Sequence, residues 1–246
     1  MTLNEEGQKA VARPKKKRYI VAAILLGLIA VYAILGAIFW KIGMPAFMFG
    51  YEKNDWGGIT ITDYYGTYLH VHVPDKIDGL DVTEIGALAF SDREKKDFPE
   101  NRTSFKAHFR FTTKKNIREV IIPDTVENIG SYAFGYCYKL EKVNIPCSLR
   151  ETGSGIFAFT KIKEIELPKG MTEIHYYAFS DSESLEKVTL PDSIEEIGDY
   201  AFENCKDLKE VNVPDGLKII SSYAFYGSGL SDEQMQAFFD KAIYVN

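Results

Sequence analysis

Five stretches decide the fold: IREVIIPDTVENIGSYAF (117–134), LEKVNIPCSLRETGSGIF (140–157), IKEIELPKGMTEIHYYAF (162–179), LEKVTLPDSIEEIGDYAF (185–202) and LKEVNVPDGLKIISSYAF (208–225). They are one template written five times. Pro123, Pro146, Pro168, Pro191 and Pro214 stand 23, 22, 23 and 23 residues apart, and each is followed eleven residues later by Phe134, Phe157, Phe179, Phe202 or Phe225. A fixed period of this length is the mark of a solenoid, in which each unit is too short to enclose a core and becomes stable only against its neighbours.

Residues 185–207 represent the unit. Val188 and Leu190 alternate with Lys187 and Thr189, the period of a half-buried strand. Pro191 ends the strand because it has no N–H for a ladder, and Pro-Asp opens a turn. Ile194, Ile197, Ala201, Phe202 and Cys205 follow at spacings of three to five, which predicts a short helical or 3₁₀ return path. Stacked coils bury Val188, Leu190, Ile194, Ile197 and Phe202 in columns, each worth about 1.5–3 kcal/mol when fully covered.

The pattern L-x-x-V-x-L-P-x-x-I-x-x-I-G-x-x-A-F-x-x-C of residues 185–205 resembles the BspA-type leucine-rich repeat of bacterial surface proteins. The stretch GITITDYYGTYLHVHVPDKIDGLDVTEIGALAF (58–90) resembles that family's opening coil, with sixteen residues from Pro74 to Phe90 in place of eleven. The resemblance covers about 57–229. It implies an α/β repeat solenoid, a right-handed coil with a parallel β-sheet face and short helical or 3₁₀ returns, in about six to seven coils. It also implies binding to other macromolecules, often as an exported adhesin, and carries no catalytic residues.

Composition fits one sizeable ordered domain, at 246 residues, 46% hydrophobic and 13% aromatic. Residues 1–18 hold six Lys/Arg against two Asp/Glu and no apolar pattern, and read as a disordered cytoplasmic tail with a basic cluster at Lys15–Arg18. Ile20–Trp40 is uncharged over 21 residues, long enough to span about 30 Å of hydrocarbon and longer than a cleaved signal's apolar stretch. The basic flank orients such a helix with its N-terminus inside. A single-pass signal anchor over 19–41 is therefore expected, with the lipid bilayer as one partner and the repeats outside the cell. The net charge is −6, and residues 1–18 carry +4 (six minus two), so the remainder carries −10. That excludes nucleic acid as a natural partner.

Residues 42–56 read as a spacer that also covers the open end of the solenoid, and Ile59–Ile61 with Tyr68–Val73 as a hairpin or an added first strand. Residues 91–116 are irregular. Pro99 lies 25 residues after Pro74 and 24 before Pro123, which fits a degenerate coil, while eight Lys/Arg and four Asp/Glu fit a loop insertion. Ser231-Asp-Glu-Gln234 forms a capping-box pattern, and Met235, Phe238, Phe239 and Ala242 share one helical face, so 230–246 is expected to be a capping helix.

Few residues point to chemistry. Cys137 and Cys205 each follow a column phenylalanine by three positions and read as small buried side chains; Cys147 follows Pro146 on a turn. His70 and His72 share a strand face with Glu119 a coil or two away, but no third metal ligand stands at good spacing. His175 replaces the glycine of the repeat. G-x-S-x-G, H-E-x-x-H, P-loop and C-x-x-C patterns are absent from the sequence, and neither enzyme activity nor a cofactor is expected. Tyr132, Tyr177, Tyr200 and Tyr223 form a stripe that reads as column packing.

The sheet face carries the richest pattern. Four residues before each proline stand Glu119, Lys142, Glu164, Lys187 and Glu210; two before stand Ile121, Asn144, Glu166, Thr189 and Asn212. Parallel stacking brings these into cross-strand ladders in which alternating charges pair. With His70 and His72 they make the candidate contact face, and the expected partner is an extracellular protein or glycan. The alternative is a scaffold of the cell envelope that assembles with another membrane protein.

Overall fold

The structure is a computed structural model that describes residues 15–91 and 116–245. The chain divides between Ile38 and Phe39 into two compact units.

The first unit holds most of helix α1 (Lys15–Ile42). The helix begins inside the basic cluster, so Lys15–Arg18 are helical and not part of a disordered tail; lysine and arginine are good helix formers. Residues 1–14 lie outside the described residues. Side chains of α1 are described without a gap from residue 23 to 39, and Ile24, Leu25, Leu26, Leu28, Ile29, Val31 and Ile34 among them are all more than half exposed. Among the described residues no helix is long and apolar enough to cross a membrane, so the expected anchor is not established by the structure.

The second unit is the solenoid. Coil 1 (67–91) is followed by coils 2 to 6, which start at Ile117, Leu140, Ile162, Leu185 and Leu208. Each coil has three sides. The front strand precedes the proline: β3 (His70–His72), β6 (Glu119–Ile121), β8 (Lys142–Val143), β10 (Glu164–Glu166), β12 (Lys187–Thr189) and β14 (Glu210–Val211). A second strand follows the turn: β5 (Leu80–Ile85), β7 (Asn128–Ile129), β9 (Glu151–Thr152), β11 (Glu173–Ile174), β13 (Glu196–Ile197) and β15 (Ile219–Ser221). In coil 1 the short β4 (Lys76–Ile77) pairs antiparallel with β5. A run of turns through Ala-Phe closes the coil.

The second strand corrects the expected helical or 3₁₀ return. Glu196 and Ile197 pair in parallel with Glu173 and Ile174 on one side and with Ile219 and Ile220 on the other. The third side turns through left-handed backbone instead of a helix. Tyr132, Tyr177 and Tyr200, two before the phenylalanine, have φ of 54°, 59° and 58°; Tyr136, Phe159, Asp181 and Asn204, two after it, have 63°, 60°, 57° and 54°. Such bulky residues at positive φ cost on the order of 1–3 kcal/mol each and persist only where the surroundings hold them.

The interior is a file of rings: Phe90, Phe134, Phe157, Phe179, Phe202 and Phe225, stacked at centroid spacings of 5.0, 5.7, 5.7, 5.3 and 5.1 Å. Both ends are closed. At the N-terminal end β1 (Phe49–Lys53) pairs antiparallel with β2 (Ile59–Tyr64), which pairs in parallel with β5. Phe49 and Tyr64 continue the ring file at 5.5 and 5.6 Å. Of this hairpin only β1 lies in the segment read as a spacer over the open end; β2 begins after it. Ile59–Ile61 and Tyr68–Val73 do not pair with each other but join the second and front ladders respectively. At the other end α2 (Asp232–Lys241) seats Phe238 against Phe225 at 4.9 Å. Its capping box is formed as expected: the Ser231 hydroxyl accepts from the Gln234 N–H, and the Ser231 N–H donates to the Gln234 side chain. The residues after α2 are not helical; β16 (Ile243–Val245) adds to β15 in parallel.

Residues 92–115 lie outside the described residues, and with them the expected degenerate coil. The coils on either side pair directly with each other on both ladders, Val71 with Val120 and Ile85 with Ile129. Six coils, not seven, make the described stack.

Candidate ligand face

Every residue of the expected contact face lies on or directly beside the front strands. His70 and His72 are on β3, Glu119 and Ile121 on β6, Lys142 on β8 with Asn144 next after it, Glu164 and Glu166 on β10, Lys187 and Thr189 on β12, and Glu210 on β14 with Asn212 next after it. Val120, Val188 and Ile165 alternate inward and are buried.

The expected charge ladder forms only in part. Lys187 Nζ meets Glu210 at 2.7 Å, and this holds the Glu210 carboxyl below the usual carboxylate range and pushes the Lys187 amine up. Glu119 turns the other way, to His70 Nδ1 at 3.0 Å. The pair is half of a metal site at most, since among the described residues no group of three His, Cys, Asp or Glu is placed to hold an ion. More cross-coil ion pairs stand beside the face, such as Arg118–Glu141 and Lys163–Glu186 at 3.3 and 3.2 Å. All these pairs are solvent-facing, which keeps each one's contribution small.

Asn144 and Asn212 are used by the fold itself. The Asn144 carboxamide accepts from the Ile122 N–H at 2.7 Å and donates to the Ile122 C=O at 2.8 Å. Asn212 does the same to Leu190, at 2.8 and 2.8 Å. Where this position is Thr189, the backbone makes the rung instead, Leu167 N–H donating to Thr189 C=O at 3.0 Å. An asparagine side chain thus stands in for a peptide group: its strand ends one residue early and the amide completes the ladder. Each amide is thereby held against the coil before it and keeps one N–H and one oxygen lone pair for other contacts.

Four residues of the predicted face, Lys187, Thr189, Glu210 and Asn212, do meet in one place. With Val188, Val211 and Gln234 they line a hollow of about 310 Å³ where the front sheet reaches α2. Gln234 donates from its side chain to the Lys209 C=O at 2.5 Å, filling the position that a seventh coil would occupy. The sequence reading assigned Gln234 to the helix cap alone, and strand periodicity holds no signal that would place it beside the sheet. The hollow is mixed in character: one ion pair, one threonine hydroxyl, two carboxamides and the flank of half-buried Val211.

No disulfide joins the three cysteines; Cys137 and Cys205 are buried and Cys147 is exposed. The buried thiols do more than fill space. Cys137 Sγ donates to the Phe90 C=O at 3.2 Å and Cys205 Sγ to the Phe179 C=O at 3.1 Å. In coil 4 the same position is Ser182, whose hydroxyl donates to the Phe157 C=O at 2.7 Å. Burial pushes the Cys205 thiol far up, so it stays protonated and available as a donor. Three tyrosines of the stripe pack in a column as expected, Tyr177 on Tyr200 at 5.3 Å and Tyr200 on Tyr223 at 5.5 Å, while Tyr132 stacks on Tyr136 of its own coil at 5.8 Å.

The comparisons agree with this geometry. The model of the BspA type leucine rich repeat region matches residues 106–231 in six copies, just over half of the chain. No curated protein matches. Among solved structures, the chain is similar to a leucine rich repeat protein of T. pallidum, with a TM-score of 0.67 and 28% identity over 81% of this chain and 97% of that one. It is also similar to a leucine rich cell surface protein of Faecalibacterium prausnitzii, with a TM-score of 0.61 and 27% identity over 76% of this chain and 46% of that one. The spacing of the coils, their parallel ladders and the family match converge on one conclusion: the chain belongs to the BspA-type leucine-rich repeat family.

Proposed function

We propose that the solenoid is a non-catalytic binding module, held at the outer surface of a bacterial membrane by α1, that takes an extracellular protein or glycan on its front sheet. The observation that carries this reading is the hollow at β12, β14 and Gln234, where four residues of the predicted face converge. Its mixed polar and apolar lining suits a neutral polar chain or a peptide more than a highly charged ligand. Membrane attachment is supported by the 21 uncharged residues Ile20–Trp40 and by the exposed apolar side chains of α1, which water alone would leave uncovered.

Full-length protein in detergent, screened against arrays of envelope proteins, matrix proteins and glycans, is expected to give a defined ligand. Thr189→Arg, which fills the hollow from an exposed position, is expected to lower that affinity at least about tenfold, the loss of a good hot-spot contact. An unaltered affinity moves the site off this hollow. Alkaline carbonate is expected to leave the protein in the membrane fraction, and its release would remove the anchor. The scaffold reading rests on those same exposed apolar side chains of α1. It predicts that exchanging Ile20–Trp40 for an unrelated span abolishes assembly with a membrane partner while soluble ligand binding survives.

A further inference from the structure

The two β ladders stop at the same junction. The front strands form two separate three-stranded sheets, β3-β6-β8 and β10-β12-β14, and the second strands likewise run β1-β2-β5-β7-β9 and then β11-β13-β15-β16. Both breaks fall between coils 3 and 4, across the one 22-residue interval between prolines. The corner tie is missing there too. Ser148 donates to the Val126 C=O of the coil before it, and Ser193 to the Met171 C=O, but coil 4 has Gly170 at this position, without a hydroxyl. Coil 6 has Gly216 there and its ladders hold, so the missing tie accompanies the break without being enough to make it. A fourth change sits at the repeat's glycine. A Cβ on Gly153 would collide with the Ser131 backbone of the coil before it; coil 4 has His175 at this position, as coil 6 has Ser221, the latter within an unbroken ladder.

The interior records the same break. Val143 and Ile145 of coil 3 are only partly buried, as are Val211 and Val213 at the true end of the stack, whereas Val120, Ile122, Val188 and Leu190 are 0–2% exposed. Coil 3 therefore ends its front sheet as coil 6 does, down to the closing asparagine, although another coil follows. The third side, by contrast, is tied through. Gly155 N–H donates to the Tyr176 C=O, Phe157 to Ala178 and Phe159 to Ser180, all at 2.9 Å. The Ser182 hydroxyl reinforces this side at the same junction.

We infer that the solenoid is jointed: coils 1–3 and coils 4–6 are two blocks that flex about the turn side between residues 155 and 182, opening along the front and second faces. Local opening of this kind draws on the segments with the fewest ladder hydrogen bonds. The joint changes the angle between the two halves of the front sheet, and so fits that face to curved partners without unfolding either block.

Residue-resolved amide exchange on the full chain in detergent tests it. The N–H groups of Glu164, Glu166, Glu173 and His175 face coil 3; those of Lys187, Thr189, Glu196 and Gly198 occupy the same places at the next junction. The first set is expected to exchange at least about tenfold faster, while Phe157 and Phe179 exchange alike. Equal rates for the two sets would overturn the joint. The variant Gly170→Ser with His175→Gly restores the hydroxyl and the glycine but not the shortened interval, and because coil 6 keeps its ladders with Gly216 and Ser221 in these places it is expected to leave the first set fast. Slowing of that set to the rates of the second would overturn a joint set by the interval. The unsubstituted chain decides the main point whether or not the variant folds.

Discussion

Coils 1–3 and coils 4–6 are built to one plan yet end differently. In each block three front strands pair in register and the third stops short, its asparagine amide completing the ladder on the coil before. Beyond Asn212 lies α2, with Gln234 bonded to the Lys209 carbonyl and Phe238 under the last ring. Beyond Asn144 lies another coil that does not take up the ladder. A repeat protein's stability is a sum of units and interfaces, and the contrast shows that the interface is set residue by residue. The one shortened interval coincides with the one junction where two sides of three come apart; a corner glycine and a side chain in the repeat glycine's place also occur in coil 6, at Gly216 and Ser221, where both ladders hold.

The contrast can be broken most forcefully in the ring file. Phe157→Ala and Phe202→Ala remove fully buried rings on either side of the joint. Each is expected to cost about 3–5 kcal/mol in urea unfolding. Equal costs mean the file is continuous through the joint; a clearly cheaper Phe157→Ala would mean that the opening reaches the rings.

The asparagines come next. Asn144→Ala and Asn212→Ala each leave a part-buried N–H and C=O of the preceding coil without a partner, which should cost about 1–3 kcal/mol apiece. A near-neutral result at either position would reduce its amide to decoration. The glycine position then separates the blocks by sign. Gly153→Ala forces a Cβ into the Ser131 backbone and should destabilise by about 1–3 kcal/mol, whereas His175→Gly at the joint should be tolerated, read by thermal unfolding of both.

The smallest effect is electrostatic. The Glu210 carboxyl is held low by Lys187, so the pair's contribution to stability is present above the ordinary carboxylate range and fades as pH falls through the lowered value. Lys187→Met should return the Glu210 titration midpoint, followed by NMR, towards the ordinary value. An unmoved midpoint would show that the contact is not made in solution.

Much of this was legible in the residues. Proline and phenylalanine spacing located every coil from 117 onward, the inward valines and isoleucines, the buried cysteines and the capping box at Ser231. The second ladder was hidden because its strands from coil 2 onward are two or three residues long, too short to show alternation, and because Ile194, Ile197 and Ala201 fall at spacings that mimic a helical turn. The hairpin at Phe49 was hidden by Gly50 and Pro45, which read as spacer. The joint was present only as 22 in place of 23, a difference that means nothing until both ladders are seen to stop there. Asn144 and Asn212 looked like surface residues because a polar side chain on a strand face gives no sign that it is standing in for backbone. Gln234 reached the hollow through tertiary packing, which no local pattern encodes.

The central claim is that incomplete coils are held in single file by parallel pairing of residues one period apart. Backbone NOEs in isotope-labelled protein read this directly. The account predicts cross-strand contacts joining Val71 to Val120, Val120 to Val143, Ile165 to Val188 and Val188 to Val211, with none from Val143 to Ile165. Other pairings among these residues, or an unbroken series through Val143 and Ile165, would contradict it.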